Sequence, residues 1–175
     1  MKIFLNAGHG GTDSGAVSKT GTKEADITAK IVSLLEARLK LNGYPVQTYQ
    51  QKKSYFEISK EENKSGATCF ISVHCNALNE KSKGVEVLYC KGSSNGRKLA
   101  AITQEELIKA TGLYNRGIKE RADLHVLNRT KSPAILVETA FISNPAEEKL
   151  LKEQPELFAN AIWEAIKRFK SENLI

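Results

Sequence analysis

"TCFISVH", residues 68–74, is a mostly apolar run rich in β-branched side chains, bounded by Gly66 and Asn76 and closed by a histidine. A run of that composition between two breakers makes a strand. Working outward, the theme repeats: Ile3-Phe4-Leu5 lies in a strand over residues 2–6, and Ala134-Ile135-Leu136-Val137-Glu138 forms another buried one. Segments of helical period lie between them. From Thr22 to Leu41, Ile27, Ile31, Leu34, Leu35 and Leu39 recur at helical spacing until Asn42-Gly43 ends the element. Pro45–Tyr49 and Gly84–Tyr89 read as further strands, Gln50–Gly66 as a polar stretch with room for a short helix, and Leu99–Ala110 as a helix closing at Gly112. His125-Val126-Leu127 reads as a short strand. Asn144 caps the next helix, Pro145 opens it, and Glu147-Glu148 occupy a first turn whose dipole favours acids. A last helix begins near Pro155 and gathers Phe158, Ala161, Ile162, Ala165, Ile166 and Phe169 on one face. This alternation predicts an α/β fold: a single domain over residues 1–175 with a mostly parallel central sheet and helices on both faces.

Composition narrows the function classes. A chain of 175 residues buries one sizeable core, and 41% hydrophobic with 26% charged residues is an ordinary folded composition. The net charge of +6 is spread along the chain, with neither a basic helix nor a nucleic-acid motif, so solvated lysine faces are expected and nucleic acid is not. No stretch is long enough for a membrane helix, and a monomer without a membrane partner is expected. Met1–Leu5 lacks the apolar core of a secretory signal, so the expectation is synthesis in the cytoplasm, with release by lysis or a leader already removed. Cys69, Cys75 and Cys90 are an odd set, and the first two, ~20 Å apart along one strand, cannot bridge each other. Folding in a reducing compartment follows.

Ligand sites in open α/β sheets form beyond the carboxyl ends of the strands. His9 follows the first strand, His74 closes the run 70–74, and Glu138 closes the run 134–138. A polar residue ending an apolar strand needs a partner if it is buried, so the three are expected to converge on one crevice. Two neutral imidazoles and one carboxylate with an open fourth position are the ligand set of a catalytic zinc centre. Glu24, in the first turn of the first long helix, can supply that carboxylate and leave Glu138 as general base. Spacing equally admits the exchange of Glu24 and Glu138, and Asp13, Asp26 and His125 are further candidates. Glu24 taken alone also reads as a complement to the helix dipole. In "NAGHGGTDSG", residues 6–15, Gly8, Gly10, Gly11 and Gly15 supply the permissive backbone that turns His9 inward. The stretch lacks the Gly-Lys-Ser/Thr of a phosphate loop, which sets nucleotide binding below metal binding. Cys75 adjoins His74, but neighbours in a strand face opposite ways, so Cys75 is expected in the core rather than as a nucleophile.

Five segments, "NAGHGGTDSGA", "KE", "CFISVHCNA", "KGVEVLY" and "NRGIKERADLHVLNRTKSPAILVETAFISNPAEE", together resemble the zinc-dependent N-acetylmuramoyl-L-alanine amidases of type 3, found in bacterial autolysins and phage endolysins. The likeness runs from residue 2 to the last helix. It implies one Zn²⁺ per chain, held by His9, Glu24 and His74, with Glu138 as the catalytic glutamate. It also implies peptidoglycan as partner, cut at the cell wall between N-acetylmuramic acid and the first L-alanine of the stem peptide. Asn76, His125 and Arg129 are the expected substrate contacts. Two departures stand out: Asn6-Ala7 replaces the usual Asp-Pro before the first histidine, and Val126-Leu127-Asn128 replaces Val-Leu-Arg, with Arg129 displaced by one. A wall-binding module that holds glycan without cutting it is the rival reading; it would need neither a metal nor a free base.

Overall fold

A computed structural model of the chain describes residues 1–52 and 54–172. Its strands are β1 (Ile3–Ala7), β2 (Val46–Gln50), β3 (Cys69–Asn76), β4 (Val85–Cys90), β5 (Asn115–Arg121) and β6 (Ala134–Phe141). The helices are α1 (Glu24–Leu41), α2 (Phe56–Ser65), α3 (Ser94–Thr111), α4 (His125–Asn128), α5 (Pro145–Glu153) and α6 (Pro155–Ser171). All six strands form one sheet in the order β2-β1-β3-β6-β4-β5. The β2, β1, β3 and β6 strands are mutually parallel, β4 is antiparallel to β6, and β5 is parallel to β4. The sheet is therefore mostly parallel, as expected, with a reversed pair at one border.

Alternation along each strand sorts side chains onto two unequal layers. Ile3, Leu5 and Ala7 of β1, with Ile71, Val73 and Cys75 of β3, join the larger cluster built with α1, α3 and α6. Phe4, Phe70 and Leu136 point the other way, into a smaller cluster covered by Ile58 of α2, by Val126 and Leu127 of α4 and by Leu124 before it. His74 and Glu138 share parity with Phe70 and Leu136, so both face the thin layer. The two short helices stop short of sealing the carboxyl ends of β1, β3 and β6, and a cleft opens there.

Two expectations are corrected. His125–Leu127 is the start of the one-turn helix α4, not a strand. A three-residue apolar run has no distinguishable period, and Leu127 is buried against Leu136 by the helical turn. The strand β5 was not foreseen at all: "NRGIKER" carries four charges and no buried residue, because it is an edge strand of the sheet. Cys69 and Cys75 are buried and free, and Cys90 is half-buried and free. Among the described residues no helix is long and apolar enough to cross a membrane.

Candidate metal centre

The loop after β1 turns back at once. Gly8 donates its N–H to the Val73 carbonyl at 2.9 Å, and Gly10 and Asp13 exchange backbone bonds at 2.8 and 3.0 Å. His9 itself adopts a left-handed backbone, φ 62°, a conformation that non-glycine residues take rarely and that marks functional sites. At Gly8 a Cβ would lie 2.5 Å from the His74 ring; at Gly15, φ 63°, it would lie 2.5 Å from the His9 ring and 2.7 Å from Glu24 Oε2. These two glycines are needed less for turning than for leaving room for the imidazoles.

Three side chains converge in the space so cleared. His9, Glu24 and His74 each offer a donor atom, and these atoms lie within 4.8 Å of one another. The two rings meet edge to face, 5.0 Å between centroids. Glu24, the first residue of α1, is buried between them, with His9 Nε2 3.1 Å from Oε2 and His74 Nδ1 3.1 Å from Oε1. It also accepts backbone N–H groups of Ala16 and Cys75 at 3.0 Å each. A residue that serves only a helix dipole would not be sealed between two histidines. Asp13 is no ligand in this arrangement. It stands behind His9, 2.9 Å from Nδ1, while accepting from Gly15 N–H at 2.9 Å and Gln51 Nε2 at 2.7 Å. A carboxylate there fixes the ring so that Nε2 faces the centre. Asp26 is exposed and apart.

The charges are coupled accordingly. The Glu24 carboxylate, then Asp13, outweigh partial burial and raise the His9 pKa to about 9. Burial alone would raise Glu24, but hydrogen bonds from His74 and His9 hold it well below the usual carboxylate range. His9 and Glu24 thus favour an imidazolium–carboxylate pairing, and a cation entering between them would have to displace the His9 proton.

Glu138 lies in β6 directly beside His74 of β3. Its Oε2 is sealed from solvent without a hydrogen-bond partner among the described residues. Burial, with smaller contributions from Glu24 and Glu86, pushes its pKa up to about 7 against the pull of His74. A buried unpartnered carboxyl oxygen beside three donor side chains is what an incoming water, metal or substrate would satisfy. Cys75, by contrast, faces the larger core with its thiol pKa pushed well above the ordinary value by burial, so it is no nucleophile.

The expected substrate contacts separate. His125 lines the same cleft of about 330 Å³ as His9 and His74, together with Asp13, Gln51, Tyr55 and Leu136. Asn76 spends its amide on Glu86 at 2.9 Å, and Arg129 is exposed at the end of α4, outside the cleft lining. Sequence reading did not single out three participants: Gln51 behind Asp13, Tyr55 at the cleft wall, and Glu148. The last accepts hydroxyls from Ser18 at 2.8 Å, Thr22 at 2.6 Å, and Thr20, tying the loop that delivers Glu24 to α5. Only Glu148 left a trace, as an acid in the first turn of α5.

Comparison with known proteins gives a consistent answer. The family of N-acetylmuramoyl-L-alanine amidases matches over residues 3–168. The chain is 32% identical over 173 residues to the probable cell wall amidase LytH of Staphylococcus aureus, covering 97% of this chain and 58% of that protein. It therefore spans little more than half the length of the curated relatives it matches. An N-acetylmuramoyl-L-alanine amidase from Clostridium difficile 630 superposes with a TM-score of 0.89 at 27% identity, covering 97% and 96% of the two chains. The CwlD amidase of Clostridioides difficile, solved in complex with the GerS lipoprotein, superposes at 0.88 with 30% identity, covering 97% and 98%.

Proposed function

Since the chain belongs to the N-acetylmuramoyl-L-alanine amidase family, we propose that it is a zinc-dependent peptidoglycan hydrolase, acting as a monomer at the cell wall. The bond it cuts is the amide between the lactyl group of N-acetylmuramic acid and the L-alanine of the stem peptide. One observation carries the reading: His9, Glu24 and His74 bring their donor atoms within 4.8 Å of one another, with the unpartnered Glu138 Oε2 alongside.

Two imidazoles and a carboxylate suit zinc, and the open fourth position suits catalysis rather than structure. When bound, zinc supplies Lewis acidity that polarises an amide carbonyl and brings the pKa of water from ~15.7 to about 7. The protein does the rest. His9, Glu24 and His74 hold the cation, and Asp13 and Gln51 keep the His9 ring from rotating. Glu138, whose unpartnered Oε2 stands beside His74, accepts the proton of the attacking water. It then delivers that proton to the L-alanine nitrogen as the carbon–nitrogen bond breaks. The products are a lactyl carboxylate on the glycan and a free amino terminus on the peptide. Of the three expected substrate contacts, His125 is retained, because it alone lines the cleft.

The test is mass spectrometry of purified peptidoglycan digested with and without a chelator. Free stem peptides should appear only with metal present. Glu138→Ala should retain stoichiometric zinc while losing hydrolysis by at least ~10²-fold, whereas Glu24→Ala should lose the zinc. Full hydrolysis by the Glu138 variant or by metal-stripped protein would overturn the assignment.

A further inference from the structure

The cleft has two chemically distinct ends. One holds His9, His74, Asp13 and Gln51; the other is walled by Tyr55, Ile58, Leu124, His125, Val126 and Leu136. Apart from the substrate contact His125, the second end takes no part in the hydrolysis just described. Its upper wall is a cluster of three rings. Tyr55 and Phe56 stack at 4.4 Å with 30° between planes, and His125 meets Phe56 edge-on at 4.6 Å and Tyr55 at 5.4 Å. The His125 ring is pinned in turn by Ser59 Oγ, 3.0 Å from Nε2, and burial, then the nearby Arg129, lowers its pKa. Tyr55 and Phe56 are nevertheless 48% and 50% exposed. Scattered exposed aromatics are ordinary, but a stacked pair whose Tyr55 lines the cleft offers a flat apolar face to a ligand.

Resting on the amidase reading above, we propose that Tyr55, braced by Phe56 and His125, is the platform on which a pyranose ring of the glycan strand stacks. The lactyl arm is short, so a sugar carrying it must sit in the same cleft as the metal ligands. A pyranose has an apolar C–H face and a rim of hydroxyl donors, and the wall matches both. The ring of Tyr55 meets the face. The carboxylate of Asp123, 66% exposed, stands at the cleft edge as a hydroxyl acceptor. Asp123 is held in place by Arg121, at 2.8 Å from Nε and 2.6 Å from Nη2, and a carboxylate so engaged keeps further lone pairs free.

The test compares zinc-loaded protein on two soluble substrates with the same stem peptide, one joined to a tetrasaccharide and one with D-lactate in place of the sugar. Tyr55→Ala should raise KM about tenfold on the glycan substrate, the size of one aromatic contact, with kcat little changed. On the lactyl-peptide it should match the wild type. Tyr55→Trp should restore the glycan KM, and Tyr55→Leu, which keeps apolar bulk without a flat face, should not. An equal rise on both substrates would make the wall a peptide contact and overturn the proposal, as would an unchanged KM on the glycan. Calorimetry with the peptide-free tetrasaccharide separates the two layers of argument. Tyr55-dependent binding by a protein that cuts neither substrate would sink the amidase reading and keep the platform. Cleavage by the wild type with no effect of Tyr55→Ala would do the reverse.

Discussion

At the scale of single residues, the centre is a set of opposed proton affinities. His9, raised to about 9, is protonated at neutral pH in the metal-free chain, so zinc uptake at pH 7 should release its proton. Calorimetry in buffers of different ionisation enthalpy should read that release, and His9→Gln should remove it. The same shift gives a sign for stability. The contribution of His9 is fully present below its ordinary 6.5 and is lost as pH rises through about 9. Glu138 behaves likewise, its share being present below 4.5 and lost as pH rises through about 7. Metal-free Glu138→Gln should therefore resist urea better than the wild type at pH 8 and no better at pH 4. His9, His74 and Glu138 were legible because each ends an apolar strand where packing offers it nothing. Glu24 was legible only as one of two choices, because an acid at a helix start has an electrostatic use of its own. The role of Asp13 and the engagement of Asn76 were not legible: they depend on which side chain stands opposite in space, and spacing along the chain carries no record of that.

At the scale of elements, the loop between β1 and α1 is the part that cannot be loosened. Gly15→Ala would force a Cβ into a left-handed position and against both His9 and Glu24. Zinc affinity should fall by about 10- to 100-fold, read by competition with a chromophoric chelator. Asn144 caps α5 by accepting from Ala146 and Glu147 N–H at 3.0 and 3.2 Å. Asn144→Ala should cost about 1 kcal/mol in urea unfolding. The helices α1 and α6, each with a sustained apolar stripe, and α5, with its Asn144 cap, could be read from the sequence because local chemistry and tertiary packing agree in them. For α4 and β5 that agreement is missing. One is a single turn with one buried leucine, and the other is a charged border strand whose only instruction to be extended comes from its neighbour β4.

At the scale of the whole molecule, the sheet is the device that brings together the proposed ligands from three places: a loop, a helix start and a strand. A cation binding only the folded arrangement adds RT ln(1 + [L]/Kd), about 2.7 kcal/mol at a hundredfold excess over Kd. Saturating zinc should then raise the thermal midpoint by about 5–10 °C in scanning calorimetry, and a chelator should reverse the gain. The layered α/β plan was legible from the alternation of strand and helix signals, whereas the reversal of β4 and β5 was not, since strand direction is set by how connections cross the sheet. That reversed pair has a consequence for behaviour in concentrated solution. The outermost strand carries Arg116, Lys119, Glu120 and Arg121 along its length and Gly117 at φ 78°. A foreign backbone attempting to hydrogen-bond there meets a row of charged side chains and a kink. Fibril-type association through this border is thereby discouraged.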